Sequence, residues 1–312
     1  MDSELNLERL QKISEFSELD KKKFQIISRF YNRKNVQEYL SLLSEKGYID
    51  YLWKDKFCNL SEEVKEDIED LFNLYNTDNN NKLQIVYLQQ QHKTSHTGWG
   101  YECSSLKEND LDFYLPIFFQ EFSLYPVSLI SKSKLKTIYL CNSLNFITDQ
   151  YTQYRAAVPD FHKDYMAMIY CCKEVSLKYI RNVIHHEFFH FLDYVEDGKI
   201  YDKDPIWESY NPADFEYGRG GAYEREWKPL ENNKKEFLNF YSTTGIEEDK
   251  AEIYAFMMLE CNKIKDVENE GLKKKIEYIK NMMNRFDKQG FGKPNFWELL
   301  MKFREKIDNH NI

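Results

Sequence analysis

Proline and glycine are scarce in this chain, at 7 and 11 of 312 residues, while Tyr (23) and Phe (22) are abundant. Few breakers and many long side chains favour a helix-rich protein over a turn-rich one. The six cysteines, at 58, 103, 141, 171, 172 and 261, are too dispersed for a disulfide framework. No CxxC pair occurs, which argues against a thiolate zinc site; free thiols in a reducing compartment are expected. Basic residues are outnumbered, 43 against 52 acidic, for a net charge of -9. That balance disfavours a broad nucleic-acid surface. No apolar run approaches membrane-spanning length, and the N-terminal MDSELNLERLQKI lacks the apolar core of a secretory signal. The expectation is a cytoplasmic protein with neither nucleic acid nor membrane as partner. Delivery into another cell's cytosol would leave the same trace.

Apolar residues recur at helical spacing in the first part of the chain: Leu5, Leu7, Leu10, Ile13 and Phe16, then Phe24, Ile27 and Phe30, then Val64, Ile68, Leu71 and Leu74. The polar TDNNNK (77–82) interrupts the pattern and suits a turn or linker. Two domains are expected, a helical module over 1–80 and a second domain over 81–312, with the first dispensable for folding of the rest. After the break, LQIVYLQ (83–89), LKTIYLC (135–141) and YMAMIYCC (165–172) read as strands, and LDFYLPIFFQEF (from 111) as a helix. HKTSHTGWGYECSS has turn and loop chemistry, so His92 and His96 are expected in an exposed loop. A long helix is expected over 176–196, ended by Asp197-Gly198 with glycine as a left-handed cap. Further helices are expected around 249–264, 272–286 and 297–307. The fold class is therefore α+β, with strands early and helices late.

The long helix carries His186-Glu187-Phe188-Phe189-His190, an HExxH motif. Residues i and i+4 share a helix face, so both imidazoles can reach one ion at about 2 Å. Glu187, one residue on, is placed to reach water on the metal rather than the metal. The surrounding residues (Ile180, Val183, Ile184, Phe188, Phe189, Leu192) are apolar, so the helix should be buried. Polar groups there need compensation, which an ion supplies.

A catalytic zinc site needs a third protein ligand. His162 lies in a loop-like stretch and His310 near the C-terminal end. Glu248 is the better candidate, favoured over Glu252: in IEEDKAEIYAFMM the face Glu248, Ala251, Glu252, Ala255 is apolar but for its two carboxylates. Glu252 would then hydrogen-bond a ligand imidazole from behind. Glu247 and Asp249 fit an ordinary solvated helix start. Asp193, three residues after His190, either orients a ligand or pairs with a nearby cation.

HEFxH followed by Asp193-Tyr194, and a tyrosine seven residues before Glu248 in ExxAE, together resemble the gluzincin-type zinc metallopeptidases. Within them the likeness is to the group containing the Pro-Pro endopeptidases and the catalytic domain of anthrax lethal factor. It spans roughly 111–287. The resemblance implies a zincin-like domain: a small mixed sheet, the HExxH helix and C-terminal helices. It implies one Zn(2+) per chain on His186, His190 and Glu248, and Glu187 as general base. Tyr241 would stabilise the transition state, with Glu252 behind the site. It also assigns the substrate-pairing sheet edge to 165–170, although YMAMIY equally reads as a buried core strand. The gap between His190 and Glu248 is lengthened by an aromatic, glycine-bearing insert over 204–227, expected to be a lid or specificity loop. The function implied is a zinc-dependent endopeptidase acting on a protein or peptide. The alternative is a catalytically silent zincin-fold binding or regulatory module, against which the presence of Glu187 speaks.

Overall fold

The structure is a computed structural model describing residues 17–57, 59–77, 83–163, 165–198, 203–224, 228–231, 234–286 and Trp297. The helix expected over Leu5–Phe16, all of the TDNNNK break except Thr77, the last expected helix except Trp297, and His310 lie outside these residues. The architecture is α+β, in two compact units that part after Ile184.

In the first unit the periodic apolar stripes form helices α1 (Glu18–Asn32), α2 (Lys34–Lys46) and α3 (Leu60–Tyr75). Ser17 caps α1 by accepting from the Asp20 amide. Gly47, at φ +74, ends α2 in the left-handed conformation glycine tolerates best. The stripes do not close on one another alone. They meet α4 (Glu108–Phe122), where the Phe30 and Phe119 rings lie 4.3 Å apart. The Tyr39 hydroxyl donates to the Phe113 carbonyl at 2.6 Å, and that of Tyr75 to the Phe122 carbonyl at 3.2 Å. Residues 18–75 thus share one core with α4.

Two four-stranded sheets follow in the same unit. The first is mixed, in the order β1 (Gln84–Tyr87), β4 (Thr137–Cys141), β8 (Ala167–Cys171), β7 (Ala157–Asp160), with only β7 antiparallel. The strand expected at a substrate-pairing edge, β8, is interior: it pairs with β4 on one side and β7 on the other, and all five of its residues are buried. Its continuous apolar run (AMIYC) is the pattern of a strand covered on both faces. The buried-strand reading holds and the edge assignment fails.

The second sheet is antiparallel, ordered β2 (His92–His96), β3 (Trp99–Cys103), β5 (Leu144–Thr148), β6 (Thr152–Tyr154). The stretch expected to be loop is therefore a hairpin, turning at Thr97-Gly98 with Gly98 at φ +83. His92 and His96 sit on β2, half-buried. His96 Nε2 lies 2.9 Å from the buried Asp160 carboxylate, and its ring stacks on His162 with centroids 4.8 Å apart.

Helix α5 (Val127–Lys132) precedes β4, and α6 (Leu177–Asp197) carries the HExxH motif. Gly198, at φ +78, ends α6 where the sequence placed the cap. In the second unit come α7 (Pro205–Glu208), α8 (Ile246–Leu259) and α9 (Glu270–Phe286). Among the described residues no helix is long and apolar enough to cross a membrane.

Candidate metal centre

Helix α6 buries Phe188, Phe189, Phe191 and Leu192 completely, and this packing fixes its rotation about its axis. His186 and His190, one turn apart, then emerge on one face, each 5% exposed. Glu187 is half-buried beside them.

Opposite stands α8. Nearly every residue from Glu247 to Met258 is buried, so α8 is covered on all sides rather than on the single face the sequence suggested. Ala251 and Ala255 are fully buried, and Glu248 is 7% exposed. Glu248 Oε2 lies 2.9 Å from His186 Nε2 and 3.6 Å from His190 Nε2, while the two Nε2 atoms are 3.2 Å apart. His186, His190 and Glu248 are the group of such residues, among those described, whose donor atoms converge as metal ligands would. Three donors about 2.0–2.1 Å from one zinc ion at tetrahedral angles lie roughly 3.3–3.4 Å apart. The observed triangle brackets that spacing, so the residues fit the ion.

The electrostatics agree. Burial alone would drive both imidazoles toward neutrality, but Glu248 and Glu252 more than reverse this and hold His186 well above its usual range. His190 is also raised, against the cost of burial, chiefly by Glu248. Burial pushes the Glu248 carboxyl up, yet the two imidazoles together hold it well below the ordinary carboxylate range. A cation held by these three groups would take the place of the imidazole protons, so its binding competes with protonation.

Behind the three converging groups, Glu252 Oε1 lies 2.8 Å from His186 Nδ1, and Asn239 Nδ2 donates to Glu252 Oε2 at 2.6 Å. That chain fixes the imidazole's orientation and leaves Nε2 directed at Glu248 and His190. His190 Nδ1 is buried and finds no such partner among the described residues. The Asp193 carboxylate is 3.3 Å from Lys250 Nζ on α8. Lys250 also reaches Asp204, which accepts from the Tyr278 hydroxyl at 2.7 Å. Asp193, Lys250, Asp204 and Tyr278 thus join α6, α8, the insert and α9.

Tyr241 opens a short 3-10 turn, Tyr241–Thr243, ahead of α8. Asn239 Oδ1 accepts from the Ser242 amide at 3.0 Å, and the Thr244 hydroxyl closes the turn on the Tyr241 carbonyl. The turn carries the phenol back, so that its hydroxyl donates to Glu248 Oε1 at 3.0 Å. Gly245 is extended, at φ −165, so this turn does not need its backbone freedom. A Cβ there would meet the Glu247 carboxylate, 2.6 Å from Oε2, which would have to shift to make room.

Two acidic residues expected in solvent are buried. Glu247 is pushed up to about 7, first by burial and then by its neighbour Glu248. Asp249 is fully buried; it receives Lys275 Nζ at 2.7 Å, the Tyr217 hydroxyl at 2.6 Å and Trp207 Nε1 at 2.9 Å. Trp207 and Tyr217 come from the aromatic insert, so that end of it is anchored in the core. The sequence reading missed Asn239, Asp249, Lys250 and Lys275. Five charged residues (Glu247, Glu248, Asp249, Lys250 and Glu252) in a helix otherwise rich in apolar residues were the available signal for Asp249 and Lys250. No family model matches this chain, and neither a curated protein nor a solved structure does so.

Proposed function

We propose that this chain is a zinc-dependent endopeptidase of the gluzincin type, hydrolysing a peptide bond in a protein or peptide substrate. The observation that carries the reading is the buried triangle of His186, His190 and Glu248, with a carboxylate one residue from the first ligand. Two histidines and one glutamate form a donor set that suits zinc and leaves a coordination position open for chemistry. A zinc ion held there supplies Lewis acidity, lowering the pKa of a coordinated water from about 15.7 toward about 7.

The protein's own groups do the rest. Glu187, on the turn of the ligands but directed from the next position, accepts the proton of the attacking water at its carboxylate. It then returns that proton to the departing amine. The Tyr241 hydroxyl, 3.0 Å from Glu248 Oε1, is a donor beside the ligand group, placed to stabilise charge developing on the carbonyl oxygen. Glu252 and Asn239 keep His186 in a ligating orientation. The five described cysteines are buried.

The test joins metal analysis of purified protein to peptidase assay. Wild type should hold about one zinc per chain, and the His186→Ala/His190→Ala double variant none. Unchanged zinc in the double variant would reject the site.

A further inference from the structure

The insert comes closest to the candidate metal centre at Arg219-Gly220-Gly221. Gly218 N donates to the Thr243 carbonyl at 3.1 Å and Gly220 N to the Thr244 carbonyl at 2.7 Å. These two bonds lay the segment along the turn that carries Tyr241. Gly220 adopts φ +95 and ψ 155, a region essentially restricted to glycine, so the strap cannot take this path with a side chain there. Gly221 is buried. A Cβ on it would overlap both the Oε1 atom of Glu248 and the Tyr241 hydroxyl, and would lie 2.6 Å from Glu248 Cδ. A Cβ on Gly220 would lie 2.9 Å from Glu247 Oε1.

We propose that Gly221 is a positioning residue of the metal centre: the strap 218–221 closes over the non-ligating oxygen of Glu248 and the hydroxyl of Tyr241, and sets where both groups sit. This rests on the reading of Glu248 as a ligand. The atoms that a Cβ would displace are the far ends of two side chains, not backbone. The fold can therefore yield at Gly221, but only by moving the third ligand and the phenol, so a substitution there acts on the metal before it acts on stability.

The experiment compares wild type, Gly221→Ala, Tyr241→Phe and the Gly221→Ala/Tyr241→Phe double variant. Zinc affinity is read by competition with a chromophoric chelator, and ligand geometry by the visible absorption of Co(2+)-loaded protein. Zinc affinity of Gly221→Ala should fall about 10- to 100-fold, the range for lost support behind a ligand. Its cobalt spectrum should change, while the melting temperature measured in chelator stays within a few degrees of wild type. Because removing the phenol oxygen clears one of the two overlaps, the effect of Gly221→Ala on affinity should be smaller in the Tyr241→Phe background. Equal zinc affinity and an unchanged cobalt spectrum in Gly221→Ala would overturn the role of the strap. So would effects at 221 and 241 that simply add. Should Gly221→Ala alone fail to fold, the double variant is compared with Tyr241→Phe, where the overlap with Glu248 remains: lower zinc affinity and a changed cobalt spectrum are expected, and equality in both would overturn the role of the strap. Failure of wild type itself to bind zinc is a different result, and refutes the ligand assignment instead.

Discussion

Replacing Lys275 with methionine should destabilise the second unit severely, and the surroundings of Lys275 set the size. Its side chain and that of Asp249 are both 0% exposed, and their charges are 2.7 Å apart. Lys275 Nζ also donates to the Glu236 carbonyl at 2.9 Å and sits 3.9 Å from the Phe237 ring centre. Burial pushes the Lys275 ammonium down and the Asp249 carboxyl up, so the pair as a whole contributes little net stability. Breaking it is another matter. Methionine keeps most of the volume but strands a buried carboxylate, a change that costs about 3–5 kcal/mol. The lower end is expected, because the Tyr217 hydroxyl and Trp207 Nε1 still donate to Asp249. About 3 kcal/mol is roughly a hundredfold in the unfolding equilibrium. Denaturant unfolding would read it as a lowered midpoint at constant slope. In the Lys275→Met/Asp249→Asn double variant the stranded charge is gone, and at least about half of the loss should return. A loss under about 1 kcal/mol in Lys275→Met, or a double variant worse than the single, would refute the account of this pair.

Glu252→Gln should weaken zinc binding about 10- to 100-fold by loosening the His186 imidazole, as measured by chelator competition; unchanged affinity would remove Glu252 from the site. Tyr241→Phe should lower kcat by roughly ten- to a thousandfold with KM little changed, since a donor used in the transition state is lost. A kcat within about twofold of wild type would instead mean that the phenol only packs there. A chain beginning at residue 80 should be insoluble or lack cooperative unfolding, because it strips Phe30, Tyr39 and Tyr75 from α4. A soluble truncation with a sharp transition would show that the helical module folds apart from the rest.

Much of the site was legible in the sequence because the helical period is short-range information. His186 and His190 share a face by spacing alone, and Ala251 and Ala255 beside Glu248 marked a close approach. What depends on distant partners was not legible. Lys275 and Asp249 are 26 residues apart, Lys250 and Asp193 are 57, and nothing local says that they are paired and buried. The β2–β3 hairpin was missed because the period-two pattern of HKTSH rests on Thr94, its one buried residue, between polar neighbours. The Thr97-Gly98 turn and the aromatic Trp99 and Tyr101 were the signal for it. The edge assignment of β8 came from a resemblance, while the apolar run equally allowed the interior position that the pairing shows. Gly221 could not be found from sequence, since its neighbours Glu248 and Tyr241 lie beyond the insert's end.

The central claim is best tested by mapping newly formed peptide termini in a proteome digest treated with zinc-loaded wild type or with Glu187→Gln at equal zinc content. Wild type should create a recurrent set of cleavage sites. Glu187→Gln, which keeps all three ligands but loses the base, should retain zinc and generate those termini at less than about a tenth of the wild-type rate. Identical termini from both proteins, or none from a wild type carrying one zinc, would contradict the assignment of peptidase chemistry to this site.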